Sequence, residues 1–296
     1  EIDERHESVS EFSAGAVRFL FGLGKKMLLA NAVARIADAA FAAVMPSVLF
    51  AWLGAVAYTF QIYFDFSAYS DMAIGLGRMF GFHFLENFNY PYVARSVTEF
   101  WRRWHISLST WFRDYVYIPL GGNRCSRARN VWNLFVVWFL TGMWHGASWN
   151  FIAWGLWFFV LLVGEKLLWG KALERLPSLV RHAYAMVLVV FSWVLFRAET
   201  LTAAAAYFAA MFGSSGVWCG SRVVYYSLEF WPELLCCCIA ALPVKQWLET
   251  ALQKRDAAPA RAVLTWGPKL AAMALLACSY CKLVTGSFNP FIYFRF

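Results

Sequence analysis

Charge is scarce in this 296-residue chain: Asp, Glu, Lys and Arg make up 15% of the residues, whereas hydrophobic residues make up 61%. A soluble globule needs roughly a quarter of its residues charged to cover its surface. The shortage therefore argues against a soluble globular protein, and the high hydrophobicity argues against intrinsic disorder, collagen and coiled coil. The composition predicts a membrane protein.

Acidic residues are scarcer than basic ones, 18 against 26, which leaves a formal net charge of +8. Such an excess can indicate nucleic-acid binding, but 16 Trp and 28 Phe in apolar runs are typical of contact with lipid headgroups. We therefore expect membrane lipids around the chain, no nucleic acid as a partner, and Lys and Arg residues that set the topology.

Several common catalytic motifs are absent: there is no G-x-S-x-G elbow, no H-E-x-x-H pair and no Walker A lysine. His6, His83 and His182 are scattered at polar boundaries, so no metal site is expected. The consecutive cysteines 236–238 lie in an apolar run, which favours small buried side chains over disulfides.

Long uncharged stretches are present, and about 20 apolar residues suffice for a helix to cross a bilayer. Residues 41–64 predict one such span. The interval between Arg129 and Glu165 carries no charge and is too long for one ordinary span. It can form one very tilted helix or two shorter ones, and the cluster of Gly, His and Ser within residues 142–149 favours a break there. Weaker spans are predicted at residues 183–196, 223–244 and 262–285.

The aromatic segment 80–120 is polar and interrupted by Gly and Pro, which favours re-entrant or interfacial helices. The predicted fold is therefore all-α: a polytopic membrane protein with about 5–6 transmembrane helices plus re-entrant or interfacial helices. Residues 1–296 are expected to form a single membrane-embedded domain.

One helix in this segment has a recognisable start, because Ser96 and Glu99 have capping-box spacing. The helix is predicted to run through Trp101 toward Tyr117. On a helical wheel His105 shares the aromatic face. By itself this pattern favours a core histidine bonded to a backbone carbonyl over a catalytic one.

Three arginines, Arg102, Arg103 and Arg113, fall on the polar face of the same predicted helix. Arginine forms paired hydrogen bonds with phosphate, so these residues are candidates for binding an anionic donor such as coenzyme A or its carrier. Snorkelling to lipid headgroups explains them equally well.

His145 lies within the longest uncharged stretch of the chain. Ionisable residues at such positions face a protein interior or a water-filled cavity and are functional candidates. Gly142 and Gly146 flank it and allow close backbone approach or a helix break. A pKa of about 6.5 suits a general base near neutral pH.

Asp65 and Asp71 stand near the end of the first predicted span. Capping and interfacial anchoring explain them about as well as a role in substrate binding.

Several long motifs, in order along nearly the whole chain, resemble membrane-bound O-acyltransferases and in particular the bacterial branch of alginate O-acetyltransferases. They are residues 61–75, 86–92, 99–111, 113–124, 142–149 and 289–296.

The resemblance implies a multi-pass enzyme of the cell inner membrane whose funnel reaches a central histidine. Acetyl would come from a cytoplasmic thioester, acetyl-CoA or another acyl thioester, with no bound cofactor and no metal. The acceptor would be an extracytoplasmic polysaccharide such as alginate, and periplasmic acetyltransferases would be partners.

His145 matches the family's near-universal histidine. His105 falls at a second family position, where other branches often carry Asn, which implies positioning rather than a second base. The resemblance also implies further membrane helices before the region that begins near Phe12.

Two alternatives remain open. The same chemistry can serve D-alanyl or other acyl transfer to a cell-wall polymer. The chain can also act as a non-catalytic conduit that hands acetyl groups to a separate periplasmic transferase.

Overall fold

The computed structural model describes residues 5–254, 258–286 and 291, and over these residues the regular structure is helical throughout. The predicted all-α fold is confirmed. The motif at residues 289–296 lies outside the described residues apart from Phe291. The helices are α1 Val9–Gly24, α2 Asn31–Phe41, α3 Val48–Met79, α4 Val97–Trp101, α5 Ile106–Phe112, α6 Arg127–Trp144, α7 Trp149–Gly164, α8 Gly170–Glu174, α9 Ser178–Arg197, α10 Leu201–Met211, α11 Ser221–Glu229, α12 Trp231–Ala240, α13 Val244–Gln253 and α14 Ala258–Thr285.

Four helices of the described residues are long and apolar enough to cross a membrane. The bent pair α11 and α12, with 65° between its halves, makes a fifth. When the bent pair is counted as one span, the described residues contain five candidate spans, which is the lower end of the predicted 5–6 transmembrane helices. The four are Val48–Met79, Trp149–Glu174, Ser178–Arg197 and Pro259–Thr285.

The first predicted span, residues 41–64, has wrong bounds. Helix α2 ends at Phe41, and α3 begins only at Val48, after Pro46. Helix α3 then continues past Asp65 and Asp71 to Met79, because both carboxylates are neutralised by cations of α1 and the π-helical turn that follows it.

The described residues form two compact units, one from residues 5–36, 60–86, 228–254, 258–286 and 291 and the other from residues 37–59 and 87–227. In the first unit α1 crosses the second half of α3 at glycines. A Cβ atom at Gly15 would lie 2.5 Å from the carbonyl oxygen of Gly75. The two backbones therefore touch.

Only one of the three consecutive cysteines is buried, so the prediction for residues 236–238 is wrong in part. Cys237 is buried on α12, whereas Cys236 and Cys238 are exposed. Successive residues of a helix point about 100° apart, so a single packed face cannot cover all three.

In the second unit α6 and α7 form the predicted broken pair, since α6 ends at Trp144 and α7 begins at Trp149. A Cβ atom at Gly142 would lie 2.5 Å from the carbonyl oxygen of Phe151, and one at Gly155 would run into the carbonyl oxygen of Trp138. The hairpin is thus closed by backbone contact between its two helices.

A cluster of aromatic rings fills the interior of this unit beside the hairpin. Its members pack edge-to-face or stacked, with centroids 4.6–6.4 Å apart, as aromatic pairs prefer. They are Phe100, Trp101, Trp104, Trp138, Trp154, Phe158 and Trp193.

The helix predicted to start at Ser96 does so, because the Ser96 hydroxyl oxygen accepts a hydrogen bond of 2.9 Å from the Glu99 backbone N–H. Its predicted continuation to Tyr117 is wrong. The helix ends at Trp101, and a second one starts at Ile106 after a break. His105 sits at the break with φ 45° and ψ 54°, a left-handed conformation that no helix interior allows.

Candidate active site

His145 ends α6 and begins the turn to α7, outside the four candidate spans. Its backbone N–H still donates to the Gly142 carbonyl oxygen at 3.2 Å. The next residue, Gly146, has φ +145°, which lets the chain leave the helix at once. The helix end thus presents the imidazole at the hairpin turn.

Aromatic rings surround the half-buried imidazole of His145. The rings of Trp154 and Phe196 meet it nearly perpendicularly, with centroids 5.0 and 5.1 Å away. Trp144 and Phe151 lie 4.9 and 6.2 Å away. Among the described residues no group forms a hydrogen bond with this ring, so its nitrogens remain available to a substrate.

Burial among these rings lowers the pKa of His145 to about 4. The cause is desolvation, which disfavours the charged imidazolium. The imidazole is therefore neutral at pH 7 and able to accept a proton.

His105 lies in the same unit and is also half-buried. Burial, with a smaller contribution from the charge of His145, lowers the pKa of His105 to about 3. The two rings are thus near enough to interact electrostatically. The ring of Trp144 stands beside both, with its centroid 4.9 Å from that of His145 and 6.1 Å from that of His105.

The Nδ1 atom of His105 lies 3.2 Å from the side-chain oxygen of Asn87. The Ser107 hydroxyl oxygen lies 3.3 Å from the same atom, so the described partners of Nδ1 are side chains and not the backbone carbonyl that the core-histidine interpretation expected. His182 shows that other pattern, with Nδ1 3.1 Å from the Ala94 carbonyl oxygen. Asn87 was not among the site residues predicted from the sequence. The one sequence feature that pointed to Asn87 was its place in the motif at residues 86–92.

The three candidate arginines have different surroundings. Arg103 donates to Glu99 of α4 and to the Asn89 carbonyl oxygen, so it holds the local structure together. Arg113 pairs with its neighbour Asp114. Arg102 is exposed, and its side chain has no ion pair or hydrogen bond with any residue that the structure describes.

Arg102 and Arg113 line a cavity of about 230 Å³ in this unit. The cavity is mostly apolar, and an exposed guanidinium at its wall can pair with a phosphate. The other lining residues are Thr98, Trp101, Leu108, Ser109, Phe112, Tyr117, Leu134, Val137, Trp138, Thr141 and Leu162.

Asp65 and Asp71 belong to the first unit and are both engaged in ion pairs. Asp65 pairs with Lys26, and both side chains are buried. Asp71 accepts from Arg18 at 2.8 Å and from Lys25 at 2.6 Å. These ion pairs join α3 to α1 and to the turn after α1, which accounts for both carboxylates within the helix without a ligand. The predicted role of Asp65 and Asp71 in substrate binding stays a prediction.

Sequence analysis also missed Glu165, a buried carboxylate beyond α7. It accepts hydrogen bonds from the backbone N–H groups of Val97 and Thr98 at 2.7 and 2.8 Å, and from the Thr98 hydroxyl at 2.6 Å. It thereby caps α4, the helix that leads to the break at His105. A single Glu after a long apolar run gives no sequence signal for a partner 67 residues away.

No group of three or more His, Cys, Asp or Glu residues in the described part of the chain is placed to hold a metal ion.

Comparison with known sequences gives consistent matches. The sequence model of the membrane-bound O-acyltransferase family, MBOAT, matches residues 5–205. A protein of Azotobacter vinelandii named probable alginate O-acetylase AlgI is 42% identical over 323 residues, covering 100% of this chain and 64% of that protein. The chain thus spans slightly less than two thirds of this relative.

More distant matches carry other names. A peptidoglycan O-acetyltransferase of Helicobacter pylori is 40% identical over 208 residues, which cover 69% of this chain and 39% of that protein. A teichoic acid D-alanyltransferase of Bacillus subtilis is 33% identical over 150 residues, which cover 47% of this chain and 38% of that protein.

Proposed function

Because the chain belongs to the membrane-bound O-acyltransferase family, we propose that it carries the histidine site of an enzyme that acetylates a polysaccharide. The acetyl donor is a cytoplasmic thioester, acetyl-CoA or another acyl thioester. The acceptor is a hydroxyl group of an extracytoplasmic polysaccharide such as alginate, and the enzyme is a multi-pass protein of the inner membrane.

The observation that carries this proposal is the state of His145. Its imidazole is neutral at pH 7 because of burial, it has no hydrogen-bond partner among the described residues, and it is half-buried and so open to a ligand. A neutral imidazole with an available nitrogen is suited to general-base catalysis.

In the proposed reaction His145 takes the proton of the acceptor hydroxyl as its oxygen attacks the thioester carbonyl carbon. A C–O bond forms, the C–S bond breaks, and the proton passes to the leaving sulfur to give a free thiol. Neither oxidation nor reduction occurs. His105 assists by orienting the reacting groups, which is the positioning role that the resemblance implied.

The exposed guanidinium of Arg102 supports a donor with a phosphate group. Arg102 stands at the wall of the cavity of about 230 Å³ and has no partner of its own among the described residues. We assign it to binding the anionic part of the donor, with Arg113 as a second contact once it leaves Asp114.

The names of the more distant relatives support a second candidate acceptor, a cell-wall polymer such as peptidoglycan or teichoic acid. The catalytic step would be the same, with acetyl or D-alanyl as the transferred group. Assays with each polymer and each thioester separate these acceptors. The greater coverage by proteins named for alginate favours the first candidate.

The test is the substitution His145→Ala in the complete protein, assayed with labelled acetyl thioester and polysaccharide. Positioned acid–base catalysis contributes about 10² to 10⁴ in rate, so transfer should fall by that factor while membrane levels stay normal. His83→Ala is the control, because that side chain is 66% exposed and lies in the other unit. Unimpaired acetylation by His145→Ala would refute the proposal.

The same assay decides between an enzyme and a conduit that serves periplasmic transferases. An enzyme releases free thiol and labels the polymer when purified alone. A conduit without chemistry of its own neither releases thiol nor labels the polymer.

A further inference from the structure

The side-chain oxygen of Asn87 faces three donors. The Ser107 backbone N–H lies 3.2 Å from it, the Ser107 hydroxyl 2.9 Å and His105 Nδ1 3.2 Å. Asn87 thus connects the start of α5 with the imidazole at the helix break.

The Ser107 backbone N–H determines which end of the Asn87 amide points toward His105. A backbone N–H can only donate, so the amide atom that faces it is the oxygen and not the NH₂ group. The same oxygen faces His105 Nδ1, and an oxygen without a hydrogen can only accept. The Ser107 hydroxyl lies 3.3 Å from Nδ1, but it donates to the nearer Asn87 oxygen at 2.9 Å and so offers Nδ1 a second acceptor. Nδ1 therefore carries the proton, which leaves the lone pair on Nε2.

The backbone of Asn87 is fixed to the same break. The Ile106 N–H donates to the Asn87 carbonyl oxygen at 3.0 Å, and the Asn89 N–H donates to the Arg103 carbonyl oxygen at 2.9 Å. Non-glycine residues with positive φ persist only where surrounding structure holds them. The segment that carries Asn87 supplies such support for His105.

We infer that Asn87 is a positioning residue that fixes the Nδ1-protonated tautomer and the ring orientation of His105, so that the lone pair of the imidazole lies on Nε2. The inference rests on the proposed function for its catalytic consequence, but the tautomer itself does not depend on activity.

Two substitutions test this role in the complete protein. Asn87→Leu removes the acceptor at similar volume, and we expect kcat to fall about 10-fold to 100-fold with KM within about twofold. Asn87→Asp keeps an acceptor for all three donors but adds a negative charge, which favours the imidazolium of His105. The pKa of His105 should then rise from about 3 toward or above that of His145, and the acid limb of the pH profile should move upward because protonation of either ring impairs transfer.

Ser107→Ala is the matched control. It removes a hydroxyl that lies 2.9 Å from the Asn87 oxygen and 3.3 Å from His105 Nδ1, but it leaves the contact between Asn87 and His105 in place, so kcat should stay within about threefold. His145, the titratable group whose charge acts on His105, is unchanged in all three variants.

A direct reading of the tautomer comes from ¹⁵N NMR of histidine-labelled protein, with the His105 signals assigned by their loss in His105→Asn. We expect a protonated Nδ1 and an unprotonated Nε2 in the parent, and a mixture of tautomers in Asn87→Leu. A protonated Nε2 in the parent would overturn the inference, as would an unshifted pH profile and full kcat in Asn87→Asp.

These outcomes are separable from failure of the proposed function. If His145→Ala abolishes transfer while the Asn87 variants behave as the parent, the function stands and the inference falls. If His145→Ala is fully active while the NMR shows the expected tautomer, the catalytic role falls and the structural assignment stands. Should Asn87→Leu fail to accumulate, Asn87→Asp and the parent NMR spectrum still decide.

Discussion

The ring of Trp154 meets the imidazole of His145 edge-on, with ring centroids 5.0 Å apart and planes at 89°. Trp154 is itself only 1% exposed, so this face of the imidazole is sealed from water by a fixed side chain. The arrangement keeps His145 uncharged without a carboxylate beside it among the described contacts. An uncharged His145 affects the pH dependence of the reaction.

We expect the acid limb of kcat/KM to lie near pH 4 rather than near 6.5. The lowered pKa of His145 means that the base is lost only when pH falls through about 4. The measurement is acetyl transfer between pH 4 and 8 at low donor concentration. His83→Ala should leave the limb in place, and a limb at or above 6.5 would contradict the assignment of His145 as a buried base.

Gly142→Leu should destabilise the α6–α7 hairpin. Its new Cβ atom would lie 2.5 Å from the Phe151 carbonyl oxygen, and backbone cannot yield as a side chain does. Forcing atoms into a packed interface costs about 1–3 kcal/mol, to be measured as reduced thermal stability in detergent by tryptophan fluorescence. Gly267→Ala is the control, since its nearest neighbour would be an ordinary contact at 3.7 Å. Equal stability of both variants would refute the close crossing.

Glu165→Gln should weaken the start of α4. A glutamine has one acceptor oxygen in place of the two that receive the Val97 and Thr98 donors. A buried donor left without a partner costs about 1–3 kcal/mol, which thermal unfolding in detergent can measure. Glu174→Gln, at an exposed position, should have no effect. Transfer activity should fall with stability, because α4 leads into the break at His105.

Arg102→Gln should raise KM for the thioester donor about fivefold, with little change in kcat, because an exposed charge pair contributes modestly to binding. The matched control is Arg127→Gln, an exposed arginine that does not line the cavity. A donor shortened to remove its phosphate should erase the difference between Arg102→Gln and the parent. If KM is unchanged with the intact donor, the cavity is not the donor site.

The buried pair of Lys26 and Asp65 should behave as a structural unit. Breaking it with Lys26→Met removes the cation that pairs with the buried carboxylate and should cost about 3–5 kcal/mol. The double variant Lys26→Met with Asp65→Asn should recover most of that loss. Thermal unfolding of the two single variants and the double variant gives the coupling free energy between Lys26 and Asp65. If Asp65→Asn instead leaves stability intact and impairs transfer, Asp65 belongs to substrate binding.

The hairpin turn at His145 and the helix start at Ser96 were both predictable from sequence, because each depends on residues within one turn. The cluster of Gly, His and Ser at residues 142–149 placed the first, and capping-box spacing placed the second. The rule that an apolar span ends where charge begins failed for α3. It continues past Asp65 and Asp71 because the cations that neutralise them come from Lys26, Lys25 and Arg18, about 40 to 50 residues earlier.

The break at His105 and its partner Asn87 were not predictable for a related reason. Local pattern from Ser96 onward favours one continuous helix, and no proline or glycine interrupts it before Pro119. At the break the Ile106 N–H donates to the Asn87 carbonyl oxygen, and the Arg103 carbonyl oxygen accepts from the Asn89 N–H; these hydrogen bonds compete with the helical ones. Sequence periodicity contains no information about such a partner segment.

The left-handed backbone conformation of His105 limits the residue types that can replace it. Branched side chains such as Val or Ile would strain it, whereas Gly, Asn and Asp accept it readily. Of these three only asparagine offers both a neutral donor and an acceptor. In a substitution series at position 105 we therefore expect asparagine to be the one polar replacement that keeps both the backbone conformation and a neutral hydrogen-bonding side chain.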